Sequence, residues 1–250
     1  MMINRMFYKN RAKMNLKGKW LIAALVALVF LIANGQKVFR FNFGSNTAGT
    51  QNVGDQMTNQ LMGIVPHSGV VTFIKDNVSL FLPIVLIGIL AGIAFQIFVM
   101  NPLSVGPYQY FRKNDLGEET IDMNDLLWVF RSKYYLNIVK TMFLMNLKIL
   151  LWTLLFIIPG VIKAYEYSMI PFLLSRNKNM TSAEAFSASK LLTEGNKADL
   201  FVLDLSFIGW YLLGSIPFGL GTPFVKAYEF QTLSGIFNDW VGDTEPDFRS

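Results

Sequence analysis

The chain has 250 residues, of which 52% are apolar and only 16% charged, with 22 phenylalanines, no cysteine and a formal net charge of +5. Ordinary globular chains carry about 25% charged residues, so there are too few charges here to coat a water-soluble globule. The lack of cysteine excludes a disulfide framework and any thiolate-held metal. Those limits point to a protein surrounded by lipid.

In chain order, residues 1–19 hold six basic side chains: Arg5, Lys9, Arg11, Lys13, Lys17 and Lys19. The first apolar run, Trp20–Ala33, is long enough to span if Lys19 and the segment 34–36 sit at the interfaces. The same start also fits a cleavable signal peptide, with small residues at Ala33 and Gly35. The long basic segment, and the odd topology that cleavage would leave, favour an uncleaved span. A mostly polar insert, 35–79, follows; within it "VFRFNF" (38–43) fits either a short strand or an aromatic interfacial anchor. Leu80–Met100 qualifies outright as a crossing helix. Thr141–Ile158 and Leu200–Ile216 are further long runs, each ending in a break, at Pro159-Gly160 and at Pro217–Thr222. The shorter runs Val161–Leu174 and Pro223–Phe237 follow these breaks too closely to leave the membrane, so they read as second arms of hairpins. The sequence therefore predicts an all-α fold, a polytopic membrane helical bundle with six transmembrane helices.

The placement of lysine and arginine orients the bundle. Fifteen fall in residues 1–19, 101–133, 176–198 and 238–250, against three (Lys37, Arg40, Lys75) in the insert and the tight turns. This bias predicts both termini on the cytoplasmic side of a bacterial cell membrane.

Internal similarity suggests three hairpin repeats within a single membrane domain, 1–250, with units of about 3–111, 121–177 and 181–237. "AKMNLKGKW" (12–20) and "SKLLTEGNK" (189–197) precede the first and fifth spans with lysine and glycine at matched offsets, and "NDLLWVFRSKYY" (124–135) precedes the third without the glycine. Aromatic pairs recur at Tyr108/Tyr110, Tyr165/Tyr167 and Tyr228/Phe230. Each unit is expected to open with an interfacial amphipathic helix. Thr181-Ser-Ala-Glu184 has the form of a capping box, Ala185, Ala188 and Leu192 share one face, and Gly195 closes the helix. Such a helix serves equally as an ordinary loop helix or as one lying in the headgroup layer with its lysines on anionic lipid.

The segments "LKGKW", "NPLSVGPYQYF" and "GNKADLFVLDLSFIGWYLLGSIPFGLGTPFVKAYEF" together resemble the bacterial integral membrane family catalogued as domain of unknown function 975. The plan is also distantly similar to the membrane domain attached to some glycerophosphodiester phosphodiesterases, whose catalytic domain has no counterpart in this chain. The resemblance implies a six-span inner-membrane protein and assigns no reaction.

An ionisable side chain near mid-bilayer costs about 2.5–3.5 kcal/mol on insertion scales, so it pairs or faces a cavity. Lys163 and Glu166, and likewise Lys226 and Glu229, are three apart on one helix face, with Tyr165 and Tyr228 beside them. These six form the candidate polar site. They read either as self-neutralising pairs that snorkel towards the outer headgroups, or as a site between repeats for a lipid headgroup, a peptide or an ion. Lys148 and Asp204 lie at similar distances before their breaks, a depth difference of about 3 Å at 1.5 Å per residue, and are expected to form an ion pair between repeats.

Motifs for catalysis are missing. There is no H-E-x-x-H, nucleophile elbow or P-loop, and the single histidine, His67, has no nearby carboxylates. No catalytic residue, metal or cofactor is expected. The expected partners are membrane lipid and a membrane peptide or protein; the basic start, next to a span, suits anionic lipid rather than nucleic acid. The sequence thus predicts a non-enzymatic envelope role binding lipid or membrane peptide, with a small transporter or exporter as the alternative.

Overall fold

The computed structural model describes residues 3–34, 78–118, 126–216 and 219–243, and all regular structure among them is helical. The insert from 35 to 77, with the 38–43 segment and His67, lies outside the described residues. Two units separate, residues 41–96 and the remainder. In the first of these only α3 (Val78–Phe95) is described, an apolar helix without a charged residue.

The larger unit begins with α1 (Arg5–Leu16), whose start is capped by Asn4 accepting from the Phe7 N–H. Helix α2 (Trp20–Ala33) departs from it at 110°. A π-helical turn, Gln96–Met100, leads into α4 (Asn101–Leu103), α5 (Gly106–Asp115) and α6 (Trp128–Arg131). Then come α7 (Tyr135–Leu155), α8 (Ile157–Glu166), α9 (Ile170–Arg176), α10 (Ser182–Thr193), α11 (Lys197–Ser215) and α12 (Thr222–Asp243). Four helical stretches are long and apolar enough to cross a membrane: Leu82–Asp115, Tyr135–Leu155, Ile157–Arg176 and Lys197–Ser215; the bent pair α1–α2 makes a fifth if counted as one span.

The junctions before α2 and α11 have the same backbone geometry. Lys17 (φ −58°, ψ 123°) and Gly18 (φ 79°) are matched by Glu194 (φ −61°, ψ 128°) and Gly195 (φ 76°). In each turn the fourth residue's N–H returns to the first residue's carbonyl, Lys19 to Leu16 at 2.9 Å and Asn196 to Thr193 at 3.1 Å. This is a type II turn, whose third residue needs positive φ and so favours glycine. Helix α10 carries the expected capping box: the Glu184 N–H donates to Thr181 Oγ1 (3.3 Å), and the Thr181 N–H to Glu184 Oε2 (2.7 Å). Its Ala185, Ala188 and Leu192 are buried. Of the amphipathic stretch 124–135, the described residues hold the short helix Trp128–Arg131 and, at its end, Tyr135, which opens α7.

Both breaks are tight, and the first lies elsewhere than expected. The chain leaves helical geometry at Phe156 (φ −153°, ψ 136°), ahead of Pro159. Pro159 sits in the first turn of α8, where its missing N–H has no intrahelical partner to lose. Gly160 lets α8 close on α7, since a Cβ there would lie 2.3 Å from Thr153 Oγ1. In the second hairpin the Gly221 N–H donates to the Gly214 carbonyl at 3.1 Å, and a Cβ on Gly221 would lie 2.6 Å from Gly214 Cα. Helix α12 then runs on to Asp243, past the expected end at Phe237. It packs against α1, α2, α5 and α11. Where the returning segments meet, Tyr108 of α5 lies edge-on to Phe172 of α9 (4.7 Å) and Phe230 of α12 (4.8 Å). Outside this core the helices stay apolar, with Leu154, Leu155, Leu212 and Leu213 all exposed. That pattern suits a bundle whose outer solvent is hydrocarbon.

Candidate functional site

Polar side chains of the larger unit gather at three main places, two of which hold sequence-selected residues. The first centres on Glu166, the last residue of α8, which is only 4% exposed. Its carboxylate accepts from Lys163 Nζ at 2.7 Å and from Lys197 Nζ at 2.5 Å. Its main-chain carbonyl accepts from Ser189 Oγ at 2.7 Å. The Lys163–Glu166 pair therefore exists as expected, but its position is corrected. Lys197 begins α11, so Glu166 sits towards the end of the bundle where α11 starts, opposite the α7–α8 turn. Helix α8 spends its ten residues descending from that turn, about 15 Å at 1.5 Å per residue, which carries Glu166 well away from it.

The second place is a cavity of about 220 Å³ between α5, α7, α8, α9, α11 and α12. Its apolar wall includes Met145, Ile149, Leu200 and Phe230, and its polar groups are Tyr108, Tyr165, Asp204, Lys226 and Glu229. Tyr165 donates to Asp204 Oδ2 at 2.8 Å. Lys226 donates to Glu229 Oε1 at 2.6 Å, and the Tyr211 hydroxyl donates to the other Glu229 oxygen. Three of the six candidate residues, Tyr165, Lys226 and Glu229, thus meet at one cavity, joined by Asp204. Tyr228 turns the other way and lines a groove beside α1.

The expected Lys148–Asp204 ion pair is not formed. Lys148 Nζ lies 3.6 Å from the centroid of the Phe186 ring of α10, and Asp204 bonds to Tyr165 instead. Similar depth on two helices does not place side chains on facing surfaces: α7 presents Lys148 to α10, and α11 presents Asp204 to α8. Among the described residues, no lysine or arginine lies within ion-pair distance of Asp204.

The third place is a polar network that the sequence reading missed. Arg11 of α1 donates through one nitrogen to both oxygens of Asp239 on α12 (2.8 and 3.0 Å), and through the other to Asp115 at the end of α5 (2.6 Å). Asn15 and Asn238 also donate to Asp115, at 2.9 Å each. Gly235 makes room for this contact, since a Cβ there would lie 3.3 Å from Asp115 Oδ1. Burial works against the Arg11 charge, but the hydrogen bonds and charges of Asp239 and Asp115 outweigh it and raise its pKa. The Ile3 N–H meanwhile donates to Asp199 Oδ2 at 3.1 Å. The amino-terminal helix, the end of α5 and the far end of α12 are thereby fastened together at one end of the unit. The only hint in the sequence was a pair of carboxylates, Asp115 and Asp239, outside the apolar runs, and spacing alone could not pair them with Arg11.

No group of three or more histidine, aspartate or glutamate side chains able to hold a metal occurs among the described residues. The cavity combines apolar walls with a few convergent donors and acceptors.

Residues 154–239 match the model of a family described as Protein of unknown function (DUF975). The match covers α8 to α11 and most of α12, including Glu166, Asp204 and Glu229. No curated protein and no solved structure matches the chain.

Proposed function

We propose that the chain is a six-span protein of the bacterial cytoplasmic membrane, built from three hairpin units, which holds a lipid or membrane peptide between its second and third units without catalysing a reaction. The four long apolar helices are joined in this reading by α2 and α12. At 22 residues, α12 reaches about 33 Å, enough to cross. The 14-residue α2 reaches about 21 Å and needs Lys19 and Asn34 at the interfaces. The matched type II turns before α2 and α11 support descent of the first and third units from one ancestor. An even number of crossings is supported by the Arg11–Asp239 contact, which brings the first and last helices together. With the lysine and arginine bias, this favours both termini in the cytoplasm.

One observation carries the functional reading. The 220 Å³ cavity joins Tyr165, Asp204, Lys226 and Glu229 to an apolar wall inside the bundle, where an unused ionisable group is expensive. Native mass spectrometry of protein released directly from membranes tests it. A defined lipid or peptide should copurify, and a Tyr165→Phe/Asp204→Asn protein with an unchanged thermal transition should lose it. Wild-type protein that flies without adduct, or a variant that keeps it, would refute the reading.

A transport role is favoured by a narrower observation, the lack, among the described residues, of a cation within ion-pair distance of Asp204 in the interior of α11. Under that reading, proteoliposomes should show substrate flux that vanishes in Asp204→Asn protein of normal stability.

A further inference from the structure

A groove of about 530 Å³ lies between α1 and α11, with Tyr228 of α12 in its wall. Its rim is basic: Arg5, Lys9 and Lys13, at four-residue spacing, follow one face of α1 and all line it. Its wall is aromatic, from Trp210 and Tyr228. We infer that this groove seats the phosphate headgroup of an anionic membrane phospholipid, with Arg5, Lys9 and Lys13 around the phosphate and Trp210 and Tyr228 against the glycerol region.

Four observations carry the assignment. The first is unbalanced charge. None of the three basic side chains has a carboxylate within ion-pair distance among the described residues, whereas Arg11, on the opposite face of the same helix, is held by two. The second is orientation. Lys9 Nζ donates to the Ser206 carbonyl (3.3 Å) and stands 4.2 Å over the Phe207 ring, while Lys13 lies 5.8 Å from Trp210 and 5.7 Å from Tyr228. Packing therefore turns these ammonium groups into the groove instead of leaving them free in water. Burial, with Arg5 and Lys13 alongside, lowers the Lys9 pKa, a penalty that an anion in the groove would relieve. The third is the placement of α1. Its 110° angle to α2 lays it along the bilayer surface when α2 crosses, and Met6 (74%) and Phe7 (54%) present apolar side chains outwards. The fourth is a path for acyl chains. Trp210 and Leu213, one turn apart on the groove-facing side of α11, form an exposed apolar stripe that continues beyond the basic rim. A soluble phosphate would gain nothing from the stripe; a phospholipid uses both ends of the site. Lysines at this depth attract anionic lipid, and their stems cover apolar surface while their heads reach the phosphate.

The test uses the full chain in lipid nanodiscs or neutral detergent, with phosphatidylglycerol as the anionic probe and phosphatidylcholine as the zwitterionic one, bound lipid being read by native mass spectrometry. Wild type should retain phosphatidylglycerol selectively. Lys9→Gln/Lys13→Gln should weaken that retention about fivefold for each lysine removed. Lys9→Arg/Lys13→Arg, which keeps the charges, should preserve it. Lys17→Gln, outside the groove, and Asp204→Asn, in the other cavity, should leave it unchanged, so failure of this proposal is distinguishable from failure of the cavity reading. Lys13→Gln alone, a change at an exposed side chain, gives the same readout if the double variant does not fold. Equal retention of both lipids, a glutamine variant that binds like wild type, or full displacement by millimolar inorganic phosphate would overturn the proposal.

Discussion

Replacing Glu166 by glutamine tests the energetics of the bundle most directly. The carboxylate is nearly buried and holds Lys163 at 2.7 Å and Lys197 at 2.5 Å. Glutamine keeps the shape and its amide oxygen still accepts from one lysine, but its NH2 faces the other ammonium and neither lysine keeps a counter-charge. Breaking a fully buried pair by removing one partner costs about 3–5 kcal/mol. Here the lysine side chains keep 26% and 29% exposure and can swing towards water, which reduces the cost to about 2–3 kcal/mol. For a chain of this size each kcal/mol lowers the thermal midpoint by about 2–4 °C, so a fall of about 4–12 °C is expected. The assay is thermal unfolding of purified protein in one detergent, followed by intrinsic fluorescence. Adding Lys197→Met to Glu166→Gln should recover part of the loss, because the stranded charge is removed along with its site. A midpoint within about 1 °C of wild type, or no recovery in the double variant, would show that the triad contributes nothing.

Two further outcomes can be checked by the same melts, and a third by limited proteolysis. Gly160→Ala and Gly221→Ala place a Cβ 2.3 Å from Thr153 Oγ1 and 2.6 Å from Gly214 Cα, and should each cost about 1–3 kcal/mol by overpacking; Gly209→Ala, with nothing within 4 Å, should be neutral. Gly18→Ala and Gly195→Ala meet open space at φ 79° and 76°, so each should lose only the left-handed backbone penalty of about 1–2 kcal/mol, with asparagine better tolerated than alanine at both; unequal losses would speak against equivalent turns. Arg11→Gln leaves Asp115 and Asp239 facing each other and should loosen α1, read as trypsin cutting after Lys9 and Lys13 well before the rest of the chain; unchanged cutting would show that the network does not hold the helix.

Much of the architecture was legible because membrane helices announce themselves through unbroken apolar composition. Leu80–Met100, Thr141–Ile158 and Leu200–Ile216 all fall on helices, and the capping box at Thr181–Glu184 fixed the start of α10 from four residues. Boundaries were less legible. Pro159-Gly160 reads as a turn, yet proline in a first helical turn loses no hydrogen bond, so the chain bends one turn earlier, at Phe156. Nor did the reading of Val161–Leu174 as one arm separate α8 from α9, which are interrupted at Tyr167–Met169.

The site was half legible for a related reason. Spacing along one helix is a local property, and both i,i+3 pairs, Lys163–Glu166 and Lys226–Glu229, formed as the 3.6-residue period requires. Contacts between helices depend also on rotation about each axis, which depth does not supply. Lys148 and Asp204 matched in depth and still missed each other, because α7 turns Lys148 onto Phe186 while Asp204 faces Tyr165. The related motifs also diverge in use: Glu166 recruits Lys197 from the start of α11, whereas Glu229 recruits Tyr211 near its end. The first arrangement adds a second cation and satisfies the carboxylate. The second adds only a neutral donor, leaving Glu229 with one lysine and Asp204, across the same cavity, with none. That asymmetry leaves the cavity, among the described residues, with two carboxylates and one lysine in its lining.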